Sequence, residues 1–416
     1  MPLSKSAPEQ KPTFYHTLPN GIRIVFRPTP SPVAYAGIMV GAGTRDEEEQ
    51  LSGMAHYIEH CVFKGTEKHS AREIINKIED IGGEINAYTT KEETTFYAAT
   101  LANHIERVTA LLADLVFHPV FPEKETTKEL NVIFDEIETY NDSPSELIFD
   151  DFENLVFDPH PLRMPVLGTK KSLRHIRKSD AKAFMQRCYN PEHIVYFCTG
   201  NLEWKTVKRV AERHLSEVPY KSRQYTRYAP ANMHNNSISY RKHTHQIHVM
   251  LGGRAYPLGH EKQLQLYLLQ QILGGGSLNS MLNLRLREQN GLVYNIECSY
   301  TPLSDCGYWA VYYATEKEHA EQCEELVAAT FRFIKDKQLS SSRLDRYKQQ
   351  LLGQMAIAAD NQENAALSMA KQMLYFSSSP LWQQTYSIVA QTTARQLQDV
   401  ANEILQESNI STLYYR

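Results

Sequence analysis

Three side chains on one short stretch have the types and spacing to do chemistry together. In SGMAHYIEHCVFKGT (52–66), His56 and His60 stand four apart with Glu59 between them. Positions three and four apart share one face of a helix, so both imidazoles can be aimed at one point with a carboxylate beside them. Neutral imidazole binds zinc well, and a catalytic zinc site takes three protein ligands and keeps a position open for water. The metal lowers the pKa of that water, and a nearby carboxylate can accept its proton. One helical turn thus offers two ligands and a base, and a third ligand must come from elsewhere. Spacing alone does not decide the matter, because the chain has 16 histidines and pairs at this separation also occur as unrelated surface or core residues.

A second cluster, HTHQIH (243–248), lies where a strand begins. Side chains alternate between the faces of a strand, so His243 and His245 share one face while His248 points to the other. Three convergent ligands are not expected there. The glycines at 274–276 lack a following Lys-Ser/Thr and read as a helix stop rather than a phosphate cradle.

The elements that must position His56, Glu59 and His60 are legible around them. The stretch itself reads as a helix capped by Ser52 and stopped at Gly65. GIRIVFRPT (21–29) and VAYAGIMVGAG (33–43) read as strands separated by a proline turn. SAREIINKIEDIGG (70–83) is a helix with a capping box from Ser70 to Glu73, and 84–101 reads as two strands around a polar turn. PEKETTKELNVIFDEIETY (122–140) is a helix whose acidic start suits its positive end. After a polar, proline-bearing stretch the pattern of strand, long helix, strand pair and helices begins again. The organisation expected is residues 1–218 as a first domain, 219–240 as a linker and 241–416 as a second domain, resembling a diverged duplication. The fold class expected is α+β, two homologous domains, each a mainly antiparallel sheet with helices packed on it.

Composition narrows the setting. With 44 basic and 48 acidic side chains the net charge is −4, which gives no electrostatic footprint for nucleic acid. No run approaches the ~20 apolar residues that span a bilayer, and the amino terminus lacks the apolar core of a secretory signal. The six cysteines are widely spaced without a C-x-x-C pair and read as reduced core residues. A cytoplasmic setting with no membrane partner is expected.

Residues 41–101, from GAGTRDEEEQ through HYIEH to TTFYAATL, closely resemble the inverted-zincin metallopeptidases of the pitrilysin/insulinase family, nearest the short-chain subgroup that includes mitochondrial processing peptidase and its bacterial relatives. The resemblance implies that zinc is held by His56, His60 and a glutamate on a later helix. It selects Glu136, with 75 residues between it and His60, among Glu129, Asp135, Glu136 and Glu138, which are otherwise alike as solvated acids. Glu129 is implied as a supporting residue behind a ligand, and Glu59 as the general base. In the second half, 273–300 resembles the family segment whose arginine and tyrosine, here Arg287 and Tyr294, hold substrate and stabilise the tetrahedral intermediate. Cys61 and Asn290 stand where many relatives carry other residues, and neither alters the ligand set.

What the resemblance implies is a zinc-dependent endopeptidase acting on peptides or unfolded segments inside a closed chamber. The substrate backbone is expected to pair with a strand edge at Asn86, Ala87 and Thr89, and two copies of the chain to form a homodimer. The alternative is a non-hydrolytic or substrate-presenting subunit of a heterodimeric processing peptidase.

Overall fold

The runs of β-branched and aromatic residues become strands because such side chains fit a pleated surface that is half or wholly buried. In the structure, a computed structural model, residues 12–416 are described apart from 221, 223, 224, 232–234, 243 and 377–381. Residues 1–11 of the amino-terminal stretch and His243 therefore lie outside the described residues. The chain divides into two units, one of Met1–Phe134, Val166–Thr226 and Ala358–Ser379, the other of Asp135–Pro165, Arg227–Ile357 and Pro380–Arg416.

In the first unit, β1 (Phe14–Thr17), β2 (Arg23–Pro28), β3 (Val33–Val40), β4 (Glu84–Thr89), β5 (Thr94–Leu101) and β6 (Ile194–Gly200) form one sheet in the order β1-β2-β6-β3-β5-β4. Every pairing is antiparallel except β2 with β6. All of β6 is buried, as expected for a central strand covered on both faces. One of those covers is the helix Gln362–Tyr375, which packs Ala366, Met369, Ala370 and Met373 against Val25, Met39, Val195 and Phe197. Polar contacts fix it further: the Lys371 ammonium lies 2.6 Å from Glu93, and the Tyr97 hydroxyl donates to Glu363 at 2.5 Å. Among the described residues the edge strand β4 pairs with β5 alone.

In the second unit, β7 (Ser237–Tyr240), β8 (Ile247–Ala255), β9 (Val293–Pro302), β10 (Gly307–Thr315) and β11 (Ser411–Tyr415) are ordered β7-β11-β8-β10-β9. Only β7 and β11 run parallel. The helices Gln263–Leu273, Ala320–Asp336 and Ala394–Ile404 contribute to the core on one face. The other face takes Ile148, Phe152 and Val156 of the helix Pro144–Phe157 against Met250, Ala310 and Leu413.

Each unit is thus a mainly antiparallel sheet with helices packed on it, the α+β arrangement read from the sequence. Each sheet also receives one covering helix from the opposite half of the sequence, 362–375 for the first and 144–157 for the second. The capping box at Ser70 and Glu73 forms as read. None of the six cysteines forms a disulfide, and Cys61 is packed in the core. Among the described residues no helix is long and apolar enough to cross a membrane.

Candidate metal centre

The histidine helix runs from Met54 to Val62, and its start differs from the sequence reading. Ser52 does not cap it. The cap position is Gly53 at φ 90°, where a Cβ would come within 2.8 Å of the Leu167 carbonyl oxygen, so both conformation and space call for glycine. The first-turn N–H groups find their acceptor in Glu47, whose two oxygens accept from Gly53 N and Ala55 N, each at 2.8 Å. A carboxyl group from a preceding loop thus supplies the hydrogen-bond acceptors that the helix start needs. That loop is held in turn by the Arg45–Glu92 ion pair at 2.6 Å, both side chains 2% exposed, and by Arg45 N donating to the Lys91 carbonyl. The loop that caps the histidine helix is therefore tied to the turn following β4.

Burial is the strongest influence on Glu47 and pushes its carboxyl up to about 8, against the backbone N–H groups and Lys91, which pull it down. The folded chain then holds this proton more tightly than the unfolded chain does. The resulting stability is complete below the ordinary value of 4.5 and is lost as pH rises through about 8. Melting curves between pH 5 and 8 are expected to show the unmodified chain losing stability relative to Glu47→Gln, which carries no titrating group there. Parallel curves for the two proteins would contradict this.

His56 and His60 emerge from the same helical face, with ring centroids 4.5 Å apart. Glu136 comes from the helix Glu123–Asn141. The division between the units falls inside this helix, after Phe134, but the helix is continuous, so Glu136 is carried on the same rod as Glu129. One donor atom from each of His56, His60 and Glu136 lies within 4.8 Å of the others, the one such group among the described residues. The set is two imidazoles and a carboxylate, a donor chemistry suited to zinc with a position to spare. Burial, and after it the charge of His60, pushes His56 down to about 3, which keeps it in the neutral form that can donate a lone pair.

Glu129 is buried and stands between His60 and Lys64. One oxygen is 2.9 Å from His60 Nδ1 and the other 2.7 Å from Lys64 Nζ. With the Nδ1 proton directed at Glu129, the lone pair of His60 is left on Nε2, the usual way a second carboxylate fixes a ligand's tautomer. Lys64, one turn beyond His60, was not singled out by sequence reasoning. Its spacing of four from His60 was the available signal.

Thr89 lies at the end of the edge strand β4, and its hydroxyl donates to Glu59 Oε2 at 2.6 Å. Sequence reasoning gave Thr89 to substrate binding and missed this contact. Asn86 and Ala87 precede it on the same strand, with Asn86 exposed. Tyr189 was also missed. Its hydroxyl is buried without a hydrogen-bond partner among the described residues, and burial, then Cys188 and Glu59, raise its pKa.

In the second unit, Arg287 closes a π-helical turn, Asn283–Glu288, and its guanidinium lies 5.6 Å from the ring centroid of Tyr294. Tyr294 sits near the start of the edge strand β9 and is 83% exposed. The register with β10 slips there: Ile296 faces Tyr313 while Val293 faces Thr315, so Tyr294 and Asn295 together oppose one residue. Such a bulge re-aims side chains, and here it falls at the exposed Tyr294. Of the other histidines, His248 bonds the Tyr312 hydroxyl at 2.9 Å and joins no metal-binding group among the described residues.

Comparison with known proteins places these observations. The family model for insulinase, peptidase family M16, matches residues 23–170, which hold His56, Glu59, His60, Glu129 and Glu136. The model described as the peptidase M16 inactive domain matches residues 175–351, which hold Arg287 and Tyr294. A Bacillus subtilis protein named uncharacterized zinc protease YmxG is 32% identical over 347 residues, covering 83% of this chain and 84% of its own. A Rickettsia bellii protein named uncharacterized zinc protease is 28% identical over 401 residues, covering 95% and 96%. A solved structure of a protease from Helicobacter pylori shares the fold with a TM-score of 0.90 at 20% identity, covering 98% of this chain and all of that one. The matched segments carry both sets of residues singled out above, and the chain belongs to the insulinase family of peptidases, family M16.

Proposed function

We propose that the chain is a zinc-dependent endopeptidase acting on peptides or unfolded polypeptide segments. The observation that carries this reading is the convergence of His56, His60 and Glu136 within 4.8 Å on two helices, with Glu59 one residue from His60. The names of the relatives as zinc proteases support it. These three side chains would hold the zinc, with Glu129 orienting His60. The metal, when bound, supplies Lewis-acid polarisation of water and of the scissile carbonyl. Glu59 takes a proton from the attacking water and returns it to the leaving amine nitrogen as the C–N bond breaks. The substrate backbone pairs along the outer edge of β4, past Asn86, Ala87 and Thr89. Arg287 and Tyr294 bind substrate and favour negative charge on the carbonyl oxygen. The enclosing chamber, the homodimer and a cytoplasmic setting belong to the same proposal, the last supported by six cysteines with no disulfide among them.

A fluorogenic peptide assay on the purified chain alone tests it. Hydrolysis that stops on chelation and returns with zinc is expected, at the solution mass of two chains. The description of the second family model as an inactive domain favours one rival, a non-hydrolytic or substrate-presenting subunit. Activity that arises only after mixing with a different chain would establish that rival.

The Thr89–Glu59 hydrogen bond gives this reading a sharper consequence. A hydrogen bond to a charged group contributes about 1.5–3 kcal/mol, and this one fixes the orientation of the base. Thr89→Val is expected to lower kcat about tenfold or more with zinc content unchanged, while Thr89→Ser restores most of it. A rise in KM with kcat intact would instead confine Thr89 to backbone pairing.

A further inference from the structure

Backbone contacts hold Lys64 from both sides. Its N–H donates to the Cys61 carbonyl at 3.1 Å, just past the end of the histidine helix. The residues after it pair with the chain that leads into the helix Glu123–Asn141. Val120 N donates to the Gly65 carbonyl and Glu67 N to the His118 carbonyl, each at 3.0 Å. Gly65 stands at φ 152°, and a Cβ there would come within 3.2 Å of Pro122 Cγ, so glycine lets this loop lie against the start of that helix. Beyond it, Thr66 Oγ1 donates to Asp114 Oδ2 at 2.5 Å, and His69 Nδ1 lies 2.8 Å from the same oxygen. Asp114 is buried on the helix Ile105–Phe117. The loop carrying Lys64 is therefore fixed in place relative to the helix carrying Glu129.

This framework puts the Lys64 ammonium 2.7 Å from one oxygen of Glu129, while the other oxygen is 2.9 Å from His60 Nδ1. The last torsion of a glutamate side chain is broad, so a single hydrogen bond leaves the carboxylate room to turn. A second contact at the opposite oxygen stops it. The Lys64 side chain is 27% exposed, so solvent screens the pair and its worth to overall stability is small. Its effect lies in orientation.

We infer that Lys64 is a positioning residue of the metal centre, acting on His60 through Glu129, an assignment that rests on the zinc-dependent reading above. By pinning the carboxylate, Lys64 fixes the acceptor for the His60 Nδ1 proton and so the direction of the Nε2 lone pair. Partners standing behind a metal ligand are worth about 10–100-fold in metal affinity. The ammonium has two opposed effects. Its charge disfavours a metal cation, and its hold on Glu129 favours one. The repulsion acts across a carboxylate and an imidazole and is weakened by distance and solvent. The hold acts at contact, and it wins.

The informative substitution is mild for the fold. Lys64 lines an open cleft of about 600 Å³ beside Gly65, Val120 and Pro122. Lys64→Met keeps the apolar stem against that wall and removes the ammonium without opening a core cavity.

Zinc affinity of the full chain, measured by competition with a chromophoric chelator, tests the inference without reference to peptidase activity. Lys64→Met is expected to bind zinc about tenfold more weakly than the unmodified chain, while Lys64→Arg, which keeps a cation, stays within about threefold of it. A double-mutant cycle with Glu129→Gln separates positioning from a general structural role. If Lys64 acts through Glu129, adding Lys64→Met to Glu129→Gln brings no further weakening. Unchanged affinity in Lys64→Met, or an equal loss in the Glu129→Gln background, would overturn the positioning role and leave the zinc reading intact. An unmodified chain that binds no zinc would overturn both.

Discussion

Glu59→Gln is expected to abolish peptide hydrolysis while the chain keeps its zinc. The substitution preserves the length of the side chain and an oxygen that can still accept from Thr89 at the position where Glu59 accepts at 2.6 Å. His56, His60 and Glu136 are untouched, so the donor set remains whole. What disappears is the ability to take a proton from water and hand it to the leaving nitrogen. General base catalysis of this kind is worth about 10²–10⁴ in rate, and kcat should fall by at least that range. The check is kcat and bound zinc measured on one preparation. A variant with intact zinc and full activity would remove Glu59 from the mechanism, whereas loss of both would show only that the helix had been disturbed.

The second large effect is expected at Glu136. Glu136→Gln replaces the one anionic donor among the three by a neutral amide, leaving two imidazoles to hold a dication. Zinc retained after dialysis should fall to a small fraction of the unmodified level, with activity falling in proportion. Asp135 and Glu138 provide the control. They are exposed acids on the same helix, and residues one and two positions from Glu136 point about 100° and 200° away around the helix axis. Asp135→Asn should leave zinc content unchanged. Equal zinc loss in the Asp135 variant would indicate that the helix supplies only general negative charge.

Part of this site was legible in the sequence, and the limits were physical. The spacing of His56, Glu59 and His60 is a local property, and helical periodicity alone places two imidazoles and a carboxylate on one turn. Glu136 is not local. Nothing in its own helix separates it from Glu129 or Glu138, and it was selected by family resemblance. The capping of the histidine helix was misread because Ser52 stands in the expected place, while the acceptor that serves, Glu47, lies six residues before Gly53 across a 3-10 turn. Thr89 was assigned from its strand and not from its hydroxyl, because the contact with Glu59 spans 30 residues of chain. At the level of the fold, alternation and turn residues gave the strands. No local signal shows that 144–157 packs on the second sheet or that 362–375 packs on the first. Both helices are amphipathic in the ordinary way, and a covering helix carries no mark of which sheet it covers. The bulge that exposes Tyr294 was equally silent, since it exists only in the register between β9 and β10.

Metal analysis of the purified chain, before and after Glu136→Gln, tests the central claim most directly. The account predicts about one zinc per chain in the unmodified protein, near-complete loss in the variant, and hydrolysis that follows the zinc. A pure chain that is free of metal and still cleaves peptide at the same rate would contradict it.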